Sequence, residues 1–227
     1  FAGLPTLMQT DHRIRYFATP LVRAAVTKKL TAMLGVEERE FEHYFDVHDL
    51  DVDSWNKIGG LEVRPIFSPH PVETTCFYFR AMGPEGYKTY GHMADIASFS
   101  VLESMVTDDD TAPGISAARF ARTKYEYHVP TNVKKIDIGG GLIHGSALDF
   151  KDDPSDKIIL AHTDREHTPE EKEIGSGAPF GTVDVLIDGY QNYVWRFAYE
   201  YLKTYFGNAS NDQLQMLLNN PVQTYNP

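Results

Sequence analysis

The chain has 227 residues, which is long enough for one substantial hydrophobic core. It carries 21 Lys and Arg against 32 Asp and Glu, and the resulting net charge of −11 makes nucleic acid an unlikely partner. No apolar run approaches the roughly 18 residues that span a bilayer, and no signal peptide is visible, so we expect a cytoplasmic protein without a membrane partner.

The first quarter of the chain is predicted to be scaffold. A weak alternation indicates a strand over residues 13–18, and apolar spacing indicates a helix over residues 19–34 that begins with a threonine–proline pair and ends at Gly35. The acidic run over residues 37–53 contains two histidines, but such a run is more typical of a solvated face than of metal ligands. Residues 55–60 are predicted to be a loop.

The stretch over residues 63–98 carries the first chemical signal. Its pattern indicates strands over residues 63–67, 76–80 and 88–92, with a turn over residues 83–86. His70 follows the first strand and Asp95 follows the third, so antiparallel pairing would bring both to one edge of a sheet. A histidine and a carboxylate fixed at strand ends suit a hydrolytic metal site, whereas the alternative is a hairpin with an incidental histidine. Cys76, the single cysteine, lies in the second strand and is predicted to be a buried thiol.

A second chemical signal follows two predicted helices, over residues 99–106 and 115–127. Residues 133–138 and 157–161 are short apolar strands of the kind that are buried in layered sheets. The first is followed by three glycines and His144, and the second by His162. Glycines at this place permit positive φ and close backbone approach, although they lack the spacing of a dinucleotide fingerprint. Each histidine alone is more typical of a hydrogen-bonded core residue, but three histidines and one aspartate after strand ends predict a metal site.

The last part of the chain is predicted to be scaffold. We expect a strand over residues 182–187, a helix with an aromatic face over residues 191–206 and a short helix over residues 211–219. These elements divide the chain into a domain over residues 1–188 and a helical extension over residues 189–227, which is expected to lead into a further domain.

His70, Asp95 and His162, in that order and each after a strand, resemble the later metal ligands of the metallo-β-lactamase superfamily. The sequence I-L-A-H-T at residues 159–163 is similar to a strand end in its phosphodiesterase and tRNA 3′-processing ribonuclease branch. The resemblance implies an α/β fold, the αββα sandwich, present as an N-terminally incomplete domain. It also implies two divalent metal ions (Zn, Fe or Mn) held by His70, Asp95 and His162. In that family pattern Asp95 bridges the metals, and His144 faces the substrate phosphate, so both would be catalytic.

One departure from the family pattern is large, because the chain contains no H-x-H-x-D-H motif. The chain opens on F-A-G-L-P, which is similar to the segment that follows that motif in the superfamily. Each metal would therefore have only Asp95 and one histidine, fewer than the three protein ligands usual for catalytic zinc. We expect metal to bind weakly or not at all to this fragment alone, which would be inactive until a missing N-terminal half-domain, on the same or a separate chain, completes the site. Hydroxyl and carboxylate groups beside the histidines are expected to fix their tautomers; the candidates are Thr74, Thr75, Thr163 and Asp164.

Three functions remain open from the sequence. The first is a metal-dependent hydrolase of phosphodiesters or similar small anionic esters, once the site is complete. The second is a non-catalytic or nucleotide-regulated binding or signalling module, because Q-T-Y-N-P at residues 223–227 is similar to the lead-in of a cyclic-nucleotide-binding β-roll. The third is an interaction role in which the aromatic face of residues 191–206 forms a homodimer interface.

Overall fold

The computed structural model describes residues 12–140, 143–163 and 165–176. The strand predicted over residues 182–187 and the two helices predicted after it lie outside the described residues, as does the proposed domain boundary. Within the described residues the predicted α/β class is confirmed, since the chain combines a mixed parallel and antiparallel sheet with helices.

The first two strands form a small parallel sheet. Strand β1 (Ile14–Ala18) leads into helix α1 (Pro20–Leu34), and strand β2 (Phe45–Asp49) returns beside β1. Helix α1 ends as predicted at Gly35, whose left-handed φ of 68° is unstrained in glycine. A 3₁₀ turn (Glu38–Glu40) and the short helix α2 (Phe41–Tyr44) connect α1 to β2.

Two expectations for this part of the chain are wrong. The acidic run is not only a solvated face, because it contains β2 and buries Phe45 against the ring of Phe41, with 4.7 Å between ring centroids. The predicted loop after it contains a short strand, β3 (Asn56–Ile58). Strand β2 was not predicted because Asp46 and Asp49 interrupt its apolar spacing, and β3 was not predicted because it is only three residues long.

Six strands form the main sheet, in the spatial order β3-β4-β5-β6-β7-β8. The five that follow β3 are β4 (Leu61–Phe67), β5 (Thr75–Gly83), β6 (Gly86–Met93), β7 (Val133–Asp137) and β8 (Lys157–Ala161). Strands β3 to β6 pair antiparallel, whereas β6, β7 and β8 pair parallel. The C-terminal ends of β4, β6, β7 and β8 therefore meet at one edge of the sheet, as the sequence predicted for the first two.

The remaining described elements are helices α3 (Phe99–Ser104), α4 (Ala117–Tyr127) and α5 (Pro169–Ile174) and a 3₁₀ turn (Ala147–Phe150). Ser98 and Ser116 cap α3 and α4 with their hydroxyl oxygens, which accept the backbone N–H groups of Val101 and Arg119. None of the helices in the described part of the chain is long and apolar enough to cross a membrane.

The core of the main sheet combines aromatic packing with buried polar groups. Tyr127 stacks on Phe150 at a centroid distance of 6.5 Å, and both side chains are inaccessible to solvent. Cys76 is buried as predicted, and burial raises the pKa of its thiol to about 12. Lys134 and Asp153 form an ion pair inside this core, and burial lowers the pKa of Lys134 despite its partner.

Candidate metal centre

Four side chains meet at the edge of the sheet where β6, β7 and β8 end. Asp95, Asp137, His144 and His162 each offer one ligand atom, and these four atoms lie within 4.8 Å of one another. The sequence pointed to three of these residues and missed Asp137. Their roles as metal ligands or catalytic groups stay predictions, but their proximity is a property of the fold.

Asp137 is the last residue of β7, and its side chain is inaccessible to solvent. Its Oδ1 accepts the backbone N–H of Gly139 at 2.8 Å, and its Oδ2 accepts that of Ile96 at 3.2 Å and that of Gly145 at 3.4 Å. Oδ2 also lies 3.0 Å from Nδ1 of His144. Backbone donors thus replace the water that a buried carboxylate loses, and the same group orients His144.

Glycines allow the loop after β7 to fold closely around this carboxylate. A Cβ at Gly145 would lie 2.4 Å from the carbonyl oxygen of Asp137, and a Cβ at Gly139 would lie 2.9 Å from Cγ of His144. Gly140 has a positive φ of 73°, and its N–H donates to the carbonyl of Gly145 at 3.2 Å. The close approach predicted for the glycine run is therefore confirmed at Gly139, and the positive φ at Gly140.

His162 follows β8 and has the left-handed backbone φ of 66°, which is uncommon for a residue with a side chain. Its Nδ1 lies 2.8 Å from Oδ1 of Asp95 and 3.7 Å from Oδ1 of Asp137. The rings of His144 and His162 are 4.3 Å apart between centroids. The side chains of His162 and Asp95 are each 43 % exposed, so this half of the group is open to solvent.

His70 lies next to this group but not within it. Its ring centroid is 6.2 Å from that of His144, and its Nδ1 accepts the backbone N–H of Val72 at 3.2 Å. Ser68, two residues earlier, donates its hydroxyl to the carbonyl oxygen of Asp95 at 2.8 Å. The loop after β4 therefore reaches the end of β6 as predicted, while His70 occupies a neighbouring position.

Three of the residues predicted to orient the histidines carry hydroxyl groups, and only that of Thr74 lies near one of these rings in the described residues. Thr74 Oγ1 lies 3.4 Å from Nδ1 of His70. Thr75 instead contacts the hydroxyl of Thr19 at 3.3 Å, and Thr163 accepts the backbone N–H of Arg165 at 3.4 Å. Asp164 lies outside the described residues. Carboxylates, rather than these hydroxyls, contact His144 and His162.

The donor set fits a divalent transition metal. Two imidazoles and two carboxylates suit Zn, Fe or Mn, and do not distinguish among them. Nδ1 of His144 lies 3.0 Å from Asp137, and Nδ1 of His162 lies 2.8 Å from Asp95, so a metal shared by a histidine and its neighbouring carboxylate would bind Nδ1 in place of a proton. Carboxylate–histidine pairs without a metal are the simpler alternative that this geometry also allows.

Comparison with known proteins finds a similar solved structure but no match to the sequence. No family model matches the sequence, and no curated protein matches it. Among solved structures, the chain is similar to the metallo-β-lactamase fold protein YhfI from Bacillus subtilis. The TM-score is 0.48 at 13% identity, and the similarity covers 81% of this chain and 72% of that chain.

Proposed function

We propose that this chain provides part of the metal centre of a metal-dependent hydrolase that acts on phosphodiesters or similar small anionic esters. The observation that carries the proposal is the convergence of four ligand atoms within 4.8 Å at the ends of three parallel strands. Convergence of titratable groups at one strand edge is typical of functional sites, whereas scattered histidines are not.

The four side chains divide into two roles. Asp95 and His162 are partly exposed and are the ligands that we assign to metal, with His144 beside them as a third candidate. Asp137 is the positioning residue, because it is buried and its oxygens already accept three backbone N–H groups. Divalent ions bound here would supply an activated water and offset negative charge on the phosphoryl oxygen of the substrate.

The site needs more ligands than this group provides. His70 is a further histidine beside the group, with its ring 6.2 Å from that of His144. The sequence contains no H-x-H-x-D-H motif, so we propose that a partner half-domain provides the remaining ligands. Metal affinity of this chain alone should accordingly be low.

Metal binding tests the first part of the proposal. We expect equilibrium dialysis against Zn²⁺ or Mn²⁺ to detect binding that weakens about tenfold or more in Asp95→Asn and in His162→Gln. His48→Gln is the matched control, because His48 is an exposed histidine that pairs with Asp46 at 2.9 Å in the small sheet. Equal affinity in all four proteins would contradict the assignment.

Turnover tests the second part. With the complementing half-domain present, hydrolysis of bis(p-nitrophenyl) phosphate should require added metal and stop in excess chelator. Undiminished turnover in chelator would refute a metal-dependent mechanism. Metal binding without any turnover would refute the hydrolase and leave a metal-binding module.

A further inference from the structure

A cavity of about 430 Å³ opens beside the candidate metal centre. Its size falls within the range of small-molecule pockets. The loop after β4 forms one wall, the end of α3 a second, and the start of α4 a third. The side chains that matter for its chemistry are Phe67, His70, Leu102, Met105, Ile115 and Arg119.

Two contacts join the cavity to the metal centre. His70 lines the cavity, and its ring lies 6.2 Å from the ring of His144 on the other side. Ser68 also lines it and donates its hydroxyl to the carbonyl oxygen of Asp95 at 2.8 Å. The cavity is therefore adjacent to the position at which the ester of a substrate would bind.

Arg119 gives the cavity a positive charge. Its guanidinium lies 5.0 Å from the centre of the Phe67 ring, and it has no carboxylate partner among the described residues. The nearby Arg122, in contrast, pairs with Asp53 at 2.8 Å. No described residue that lines the cavity carries a carboxylate. An arginine beside apolar walls, without an ion-pair partner among the described residues, is suited to bind an anion.

The walls are fixed by backbone contacts. The N–H of Ile115 donates to the carbonyl of Met105 at 3.0 Å, and the N–H of Thr107 donates to the carbonyl of Ile115 at 3.0 Å. A Cβ at Gly114 would lie 2.5 Å from the carbonyl oxygen of Met105, so this close approach requires glycine. The cavity is thus present before any ligand binds, which lowers the entropic cost of binding.

We propose that this cavity is a specificity subsite for the substrate. It would receive an apolar or aromatic group that carries a second anionic group, either phosphate or carboxylate, which pairs with Arg119. Leu102, Met105 and Ile115 would contact the apolar part. This inference rests on the proposed function for its link to catalysis, although ligand binding to the cavity can be measured without metal.

The test uses metal-free protein with ¹³C-labelled methionine methyl groups. We expect phenyl phosphate to shift the Met105 signal, identified with Met105→Leu, in a saturable way. Arg119→Gln should weaken this binding about tenfold or more, because it removes a charge-assisted hydrogen bond. Arg122→Gln removes the same charge from the same helix and should leave the affinity within about twofold. The buried Met93 signal reports whether each variant is folded.

Several outcomes would overturn the subsite. One is the absence of any Met105 shift with phenyl phosphate, and another is equal affinity in Arg119→Gln and wild type. An equal response to benzyl alcohol would also count against it, since the anion would then be irrelevant. If metal binding and chelator-sensitive turnover are found but Met105 does not respond, the subsite alone is refuted. If the subsite binds phenyl phosphate but Asp95→Asn and His162→Gln bind metal as tightly as the wild type, the proposed function is refuted instead.

Discussion

At the scale of single residues, His162 combines a strained backbone with the most exposed position of the candidate centre. Its φ of 66° lies in the region that glycine occupies freely and that costs other residues about 1–2 kcal/mol. Such strain persists where the surrounding structure enforces it, and it is concentrated at functional sites. The left-handed backbone is consistent with the metal-binding role proposed for His162, whose Nδ1 faces the carboxylates of Asp95 and Asp137.

A strained backbone at position 162 predicts that glycine there favours the stability of the fold, while loss of the ring weakens metal binding. We expect His162→Gly to be about 1 kcal/mol more stable than His162→Ala, because glycine removes the strain that alanine keeps. Urea denaturation measures the difference. Metal binding should be weakened equally in both variants, since both lack the ring. Equal stability of the two variants would show that the backbone at this position is not strained.

Asp137 shows what the sequence could not reveal at this scale. The strand pattern of residues 133–138 predicts an apolar buried segment, and the structure confirms the strand, but both Lys134 and Asp137 are fully buried within it. Periodicity assigns charged residues to the exposed face, so it does not predict that Lys134 donates to Tyr127 and Asp153 or that Asp137 accepts backbone N–H groups. The one available signal was a carboxylate two positions before a glycine run.

At the scale of elements, the sequence predicted where the strands end and which polar side chains follow those ends. The antiparallel run to β6 and the parallel triplet β6-β7-β8 place the loops after four strands at one edge, and the residues that follow those strands supplied three of the four converging side chains. The distance of His70 from that group was not predictable, because it depends on the path of the loop and not on the register of β4.

The loop after β7 gives a prediction at this scale. Gly145→Ala should destabilise the protein by about 1–3 kcal/mol, since the new Cβ would meet the backbone oxygen of Asp137 at 2.4 Å. The displacement should also weaken metal binding, because the N–H of Gly145 donates to Asp137. Gly60→Ala is the control, because a Cβ there meets nothing within 4 Å and should change stability by only about 0.5 kcal/mol. Similar denaturation midpoints for the two variants would contradict the prediction.

At the scale of the whole molecule, stability at low pH depends on the segment after β8. Arg165 forms two hydrogen bonds with the carboxylate of Glu171, at 2.6 and 2.7 Å, and the N–H of Thr168 donates to the same group at 2.8 Å. The arginine is the main cause, and the backbone donor adds to it, so the pKa of Glu171 falls from 4.5 to about 2.

The sign of the pH effect follows from this shift. The folded protein binds a proton at Glu171 less readily than the unfolded chain, so the stabilisation is complete above about pH 4.5 and is lost as the pH falls towards 2. The difference in free energy of unfolding between wild type and Glu171→Gln should therefore shrink between about pH 5 and pH 2. Glu170→Gln, at the exposed neighbouring position, should show no comparable trend. A constant difference for Glu171→Gln across this range would exclude the ion pair as the cause.

Two residues of the candidate centre are far apart in the sequence but adjacent in the fold. Asp95 and His162 are 162 − 95 = 67 positions apart in the sequence, yet their side chains are 2.8 Å apart in the fold. An ion shared between them would close a loop of that length, and such a crosslink restricts the unfolded chain far more than it restricts the folded one. The bound metal would then crosslink two strand ends that are distant in the sequence. It would stabilise the fold even in a protein without catalytic activity.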